Sequence, residues 1–370
     1  MSANLQIPAS LPTTLHVDFV AAHNKCSMLE YMPKWLICIP LTLQWFWLAL
    51  RYQSLTLPSS ANPAITSGGL VGEGKLEYFD SMGPLARAAT AAYCPVSTHC
   101  SLSDIELRRL MRGAGLFFPV IAKPDIGLCG YGVRLLANRG ELQSYLAAFP
   151  ANEIVVLQQY LPQEGEAGIF YARDPVTDQG RIIGLALRYY PRVIGDGKQT
   201  IAELIASNSR ARRLVRSVQH ECSHEDTRVP LPGEVVRLAT IGSTRVGGLY
   251  RDGREHITAK LTKAIDDIAR DMPNFHFGRF DVRFESLYDL SGGTGFSIME
   301  INGAGSEAIQ AWDPDMNIVN SFQIIFQKQR TLFAIGSAMR RLGFKPIGLL
   351  ALMQLNQRQQ RLITQYPRSN

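Results

Sequence analysis

The side chains best suited to chemistry gather in two short stretches between residues 278 and 302. The segment GRFDVRF places Arg279, Asp281 and Arg283 at alternate positions, with Phe280, Val282 and Phe284 between them. Such alternation predicts a strand with one apolar face and one charged face. A second alternating segment, FSIMEIN, carries Glu300 and Asn302 at the same spacing. The turn-rich DLSGGTG between the two predicts a hairpin, so two carboxylates, an amide oxygen and two guanidinium groups would share one face. Two carboxylates and an amide form a hard oxygen set of the kind Mg²⁺ accepts, with water or phosphate completing its shell. A ladder of cross-strand ion pairs accounts for the same face equally well.

Upstream, Lys123 ends an apolar strand signal running from Phe117 and is followed by PDIGLCGYGV. Gly127, Gly130 and Gly132 would let the backbone come close to a polyphosphate, and the lysine adds a point charge to backbone N–H donors. The spacing matches neither the G-x-x-x-x-G-K-[ST] loop nor a strand–turn–helix dinucleotide fingerprint. A third segment, VVLQQYLPQEGEAG, runs from a strand into a turn holding Glu164 and Glu166. It would offer backbone groups to a purine and a carboxylate to ribose hydroxyls; taken alone, the turn reads more simply as solvated and acidic.

These groups need elements to hold them. Ser103-x-x-Glu106, Asn138-x-x-Glu141 and Thr200-x-x-Glu203 each mark a helix start. Leu261, Ile265, Ile268 and Met272 recur at helical spacing and predict an amphipathic helix over Thr258–Asp271. Glu153–Tyr160, Gly168–Arg173 and Arg181–Tyr190 read as three strands of one antiparallel sheet. Beyond Trp312 the chain is mostly helical. Sheets with helices laid to one side make an α+β protein. NPAITSGGLVGEGK, over residues 62–75, reads as a connection ahead of a binding loop.

With 370 residues, 46% of them hydrophobic and 19% charged, the chain holds two or three domains around a sizeable core and is not disordered. A net charge of +6 suits an anionic ligand but is too small and dispersed for nucleic acid. The six cysteines (Cys26, Cys38, Cys94, Cys100, Cys129 and Cys222) show neither C-x-x-C nor a Cys/His ladder, which speaks against a disulfide framework or a zinc site and for a reducing cytoplasm. His220 and His224 lack a third ligand and read as structural.

The run WLICIPLTLQWFWLAL, Trp35 to Leu50, is too short to span a bilayer and contains Pro40 and Gln44. A helix buried in the core or at a homodimer interface is the favoured reading; contact with a membrane is the alternative. Among other basic residues, Arg188 and Arg192 would line the sheet, Arg245 and Lys260 are secondary candidates for phosphate or carboxylate contact, and Arg210, Arg212, Arg213 and Arg216 read as a solvated helix face.

Taken in order, a lysine strand, a glycine loop, a hinge strand, a D-x-R hairpin and E-x-N resemble the ATP-grasp superfamily. The likeness is greatest to its carboxylate–amine ligases, among them D-alanine–D-alanine ligase, cyanophycin synthetase and the RimK-like enzymes. It runs from about Ser103 to Asp315, with GRFDVRF and IMEINGAGSEA its most specific segments and RVIGDGKQTIAELIASNSRARR a further local likeness to cyanophycin synthetase. The resemblance implies an ATP-grasp fold of two α+β subdomains clasping ATP, behind an atypical apolar N-terminal region. The expected divisions are residues 1–102, a lid and hinge subdomain over 103–180, a metal-binding subdomain over 181–315, and a helical segment over 316–370.

By the same resemblance Lys123 contacts the ATP phosphates and Gly127–Gly132 forms the lid above them. Gln158, Gln159, Tyr160 and Leu161 receive adenine, and Glu166 the ribose. Asp281, Glu300 and Asn302 hold Mg²⁺, two ions in all, for which Mn²⁺ could substitute, and Arg279 steadies the acyl phosphate. The family usually has a glutamate where Gln158 stands, and its amino-terminal substrate domain is not recognisable in residues 1–102. The implied activity is ATP-dependent amide formation between a small-molecule carboxylate and an amine through an acyl phosphate, with amino acids or peptides as substrates, in the cytoplasm or associated with a membrane. A small-molecule kinase and a non-catalytic ATP-binding module are the alternatives.

Overall fold

The computed structural model of the protein describes residues 25–99, 103–216 and 227–370. His220, His224, Cys100 and Cys222 lie outside them, as does the side chain of Arg216. Eleven strands, β1 (Tyr93–Ser97), β2 (Val120–Pro124), β3 (Arg134–Leu136), β4 (Ile154–Gln159), β5 (Gly165–Arg173), β6 (Gly180–Tyr189), β7 (Arg192–Ile194), β8 (Val235–Arg237), β9 (Leu249–Asp252), β10 (Phe277–Phe284) and β11 (Phe296–Asn302), form three sheets among the described residues. Their orders are β1-β4-β2-β3, β11-β10-β5-β6-β9 and β7-β8. The helices that matter here are α1 (Lys34–Tyr52), α2 (Lys75–Asp80), α3 (Asp104–Gly113), α4 (Arg139–Ala148), α5 (Ala259–Arg270), α6 (Ile318–Arg341) and α7 (Leu349–Gln365). The chain is an α+β protein.

Local chemistry sets the ends of these elements as the sequence anticipates. Ser103 and Thr200 close capping boxes with Glu106 and Glu203, and the Asn138 side chain accepts from the Glu141 backbone. Thr258 caps α5, whose Leu261, Ile265 and Ile268 are buried against the five-stranded sheet. The apolar faces of that sheet and of α5 enclose the largest core, with Ile169, Leu185, Phe280 and Val282 at its centre. The four-stranded sheet has its own core, covered by α3, α4 and the end of α7.

One strand assignment needs correction. Glu153–Tyr160 does not join Gly168–Arg173: β4 pairs with β1 and β2, whereas β5 begins the larger sheet. Pro162 and the short segment after it carry the chain from one sheet to the other, a change of partner that strand periodicity does not reveal. β5 and β6 pair along their lengths, from Arg173 opposite Gly180 to Glu166 opposite Arg188, as a hairpin across residues 174–179. The expected hairpin forms between β10 and β11, with a short helix at Leu287–Ser291 in its connection.

The helical reading of Trp35–Leu50 holds, but burial in this chain's own core does not. Ile37, Leu48 and Ala49 are buried, while most of the other large side chains on α1 are exposed. The basic run after Asn208 also departs from expectation. Arg210 is buried, where its guanidinium meets Glu30 at 2.8 Å and donates to the Gly248 carbonyl at 2.6 Å; Arg213 reaches the same carboxylate at 2.7 Å. A carboxylate 180 residues away in sequence draws Arg210 and Arg213 out of the solvated face, while Arg212 stays exposed as expected.

Candidate active site

The strands of the larger sheet bring the charged residues to one face. Along β10, Arg279, Asp281 and Arg283 stand opposite Phe170, Gly168 and Glu166 of β5, and Glu166 stands opposite Arg188 of β6. On the other side Arg279 faces Asn302 and Asp281 faces Glu300. The register between β10 and β11 then shifts: Val282 pairs with Ile298, leaving Met299 as a bulge. The Met299 carbonyl accepts from Lys123 Nζ at 2.9 Å. A lysine of the small sheet is thus fixed beside Glu300 by an irregularity in the large one.

Asp281 is nearly sealed, its side chain 2% exposed. Arg279 grips both of its oxygens, at 2.6 and 2.9 Å, and Arg188 approaches to 3.3 Å. The Asn302 amide donates to it at 3.3 Å. Glu300 is different, with a side chain 33% exposed. Removal from water would raise its carboxyl, but Lys75, Lys123 and Arg279 outweigh this and hold it well below the usual carboxylate range. Burial pulls the Lys123 ammonium down to about 8 even with Glu300 nearby.

Lys75 is the residue that sequence reasoning missed. Its ammonium lies 3.3 Å from Glu300 Oε1 and 3.3 Å from the Asp125 carbonyl, at the base of the glycine loop. A Cβ at Gly127 would come within 2.8 Å of it, so a side chain there would press the tip of the lysine aside. The segment over residues 62–75, read above as a connection, is therefore built into the site. The Ala304 and Gly305 amides donate to the Gly68 and Gly69 carbonyls, just beyond Asn302. Glu73, in the same segment, is pushed by burial up to about 7, and its Oε2 has no hydrogen-bond partner among the described residues. A lysine beside four closely spaced glycines was the available signal, of the same kind that singled out Lys123. Lys328 of α6 was also missed. It donates to the Ser306 carbonyl, and burial lowers its ammonium to about 8.

The glycine loop is held at several points. The Gln359 amide donates to the Gly127 carbonyl at 2.9 Å, and the Tyr366 hydroxyl to the Ile126 carbonyl at 2.6 Å. Arg245 donates to the Cys129 carbonyl at 3.3 Å and lies 4.3 Å from the centre of the Tyr131 ring. Gly130 and Gly132 adopt φ of +76° and +74°, conformations that suit glycine. Arg245 thus meets the loop, whereas Lys260 is exposed on α5 and does not join the cluster.

The hinge residues Gln158 and Gln159 pair with Ile121 and Val120, on the strand that bears Lys123; Tyr160 and Leu161 follow directly. Gln158 is buried and its amide approaches the Ala91 carbonyl at 3.5 Å. Glu166 is not in the turn but in β5. It meets Arg188 at 2.9 Å and Arg283 at 3.5 Å, and accepts from the Tyr190 hydroxyl at 2.6 Å. Nor is Glu164 solvated: it is paired with Arg192 and, at 3.4 Å, with Arg237. The arginines that bury this turn come from β7 and β8, the small sheet that sequence reading left out.

No family model matches the sequence, and no curated protein matches it. Among solved structures the chain is similar to a bifunctional glutathione synthetase from Pasteurella multocida, at 17% identity and a TM-score of 0.37 over 72% of this chain and 38% of that one. It is similar to D-alanine–D-alanine ligase from Bacillus anthracis, at 13% identity and a TM-score of 0.40 over 75% of this chain and 71% of that one. A third similar structure is the ADP complex of N5-carboxyaminoimidazole ribonucleotide synthetase, at 11% identity and a TM-score of 0.34 over 67% and 48% of the two chains. The chain spans less than half the length of the first and third.

Proposed function

We propose that this chain is an ATP-grasp carboxylate–amine ligase, coupling ATP hydrolysis to formation of an amide. The observation that carries the reading is the meeting of Lys123 with the Asp281–Glu300 pair across two sheets, beneath a glycine loop. Polyphosphate recognition needs positive charge and backbone donors on one side and a cation-holding carboxylate edge on the other.

In this reading a substrate carboxylate attacks the γ-phosphorus of ATP, giving an acyl phosphate and ADP. An amine then attacks the acyl carbon; inorganic phosphate leaves and the amine loses a proton. Lys123 and Lys75 neutralise phosphate charge that would repel the incoming carboxylate. Arg279, anchored on Asp281, would steady an oxyanion at the acyl carbon. The glycine loop covers the phosphates and excludes water, which would otherwise hydrolyse the acyl phosphate. The backbone of Gln158–Leu161 takes adenine. Glu166 is enclosed by Arg188, Arg283 and Tyr190, and shares Arg188 with Asp281.

The donor chemistry fits magnesium. Asp281 and Glu300 are direct cross-strand neighbours and Asn302 adds an amide oxygen. The remaining ligands of such a cation would come from phosphate and water. Glu300, Asp281 and Asn302 would hold the ion, which would supply charge neutralisation at the transferring phosphoryl group.

The test is phosphate release from ATP and Mg²⁺ with a panel of amino acids. The expected result is inorganic phosphate only when both a carboxylate and an amine are present. Phosphate transferred stably to a hydroxyl, or tight ATP binding without turnover across the panel, would replace the ligase by a kinase or a binding module.

A further inference from the structure

One face of α1 lacks a protein neighbour among the described residues. The helix lies on α6, where the Gln44 amide donates to the Phe326 carbonyl at 2.8 Å, the Gln329 amide to the Leu41 carbonyl at 3.2 Å, and Trp45 meets Phe333 edge to face at 4.9 Å. On the opposite side Trp35, Ile39, Leu43, Phe46, Trp47 and Leu50 are between 47% and 80% exposed. Their spacing confines them to about a third of the helix circumference. No charged residue interrupts them; Lys34 and Arg51 stand at the two ends. The Arg51 guanidinium lies over the Trp47 and Tyr52 rings, at 5.5 and 5.8 Å from their centres.

Charge is segregated along the sequence that carries this face. Residues 31–72 and 316–370, which contain α1, α6 and α7, together hold ten basic side chains and no acidic one, with Lys328 buried at the Ser306 carbonyl and Arg358 paired with Glu153. The remainder of the chain holds 28 basic and 32 acidic side chains. The end of the α1 segment is tied to the start of α7: Thr56 Oγ1 donates to the Ile347 carbonyl at 2.7 Å, and the Ile347 amide to Ser59 Oγ at 2.8 Å. Exposed Lys345, Leu349 and Leu350 flank that junction.

We propose that this face seats on an anionic lipid bilayer, with α1 lying in the plane of the interface. The chemistry is that of an interfacial helix: aromatic and aliphatic side chains enter the headgroup boundary while basic side chains around them meet lipid phosphate. The helix does not cross: no described helix is long and apolar enough. A second copy of the chain fits less well. A two-fold interface would set this face against itself and bring together basic borders with no carboxylate to match them. Nucleic acid would need its cations in the centre of the patch, where α1 has none.

Sedimentation of the full chain with phosphatidylcholine vesicles, with and without phosphatidylglycerol, tests this. The bound fraction should be about tenfold higher on vesicles of about 30% phosphatidylglycerol, and should fall as salt rises. Tryptophan emission should shift to the blue on binding. The exposed double substitution Leu43→Glu, Leu50→Glu should lower binding about tenfold or more with an unchanged circular dichroism spectrum. Arg341→Glu with Lys345→Glu should remove the preference for the anionic vesicles. Failure to bind either vesicle, or binding indifferent to Leu43→Glu and Leu50→Glu, would overturn the proposal. So would a dimer that the same double substitution dissociates while vesicles leave the protein in solution.

Discussion

The two larger sheets contribute to the site in opposite ways. The five-stranded sheet presents a crowded charged face in which Asp281 is held by Arg279 and Arg188, and Glu166 by Arg188, Arg283 and Tyr190. The four-stranded sheet offers one buried cation, Lys123, whose hydrogen bond runs to the other sheet's backbone, and a loop of glycines. One half is preorganised by mutual neutralisation of buried charges; the other brings charge to a neighbour's irregularity. Charge placement is costly where several groups must be buried together, and the larger sheet solves this by pairing them.

The sharpest way to break the comparison lies within the carboxylate pair. Glu300→Gln should cut turnover by about 10³-fold while leaving thermal stability within about 1 kcal/mol of the parent, because this side chain is partly solvated. Asp281→Asn should lose turnover as well, and also about 3 kcal/mol of stability, since it leaves the buried Arg279 guanidinium without its carboxylate and removes one of the two that Arg188 meets. Calorimetry and phosphate release on both variants measure the difference. Equal stability in the two would show that the arginine clamp is not the distinction drawn above.

A smaller effect separates the sheets by pH. Burial lowers the Lys123 ammonium to about 8, so it is charged below that pH and neutral above it. An anion requires the charged form. Nucleotide affinity should therefore be flat below pH 8 and fall by up to about tenfold per unit above it, as the lysine must first take up a proton. Lys123→Arg, which keeps its charge, should flatten the profile measured by calorimetric titration.

The smallest change concerns the junction. Gly127→Ala would place a methyl group 2.8 Å from the Lys75 ammonium. Nucleotide KM should rise about tenfold with a modest change in kcat, as expected when positioning is disturbed but the transition-state groups remain. An unchanged KM would separate Lys75 from nucleotide binding.

Local signals carried most of the fold's parts. The three helix starts at Ser103, Asn138 and Thr200, the amphipathic α5 and the β10–β11 hairpin were legible because each is set within about ten to twenty residues by capping or periodicity. What depended on distant partners was not. The assignment of β4 to a different sheet, the burial of Arg210 by Glu30, and the pairing of Glu164 with Arg192 and Arg237 each needed a contact that sequence spacing does not encode. In the site, alternation brought Arg279, Asp281, Glu300 and Asn302 to one face, yet it could not reveal the bulge at Met299 that receives Lys123. Lys75 escaped because its loop precedes the region of family resemblance.

The seventeen residues of α7 form a rod about 25 Å long. Its first turn carries Leu349 and Leu350 beside the basic, apolar flank, and Gln359 and Tyr366 at its far end grip the carbonyls of Gly127 and Ile126. One rigid element therefore touches both the exposed apolar flank and the loop proposed to cover nucleotide.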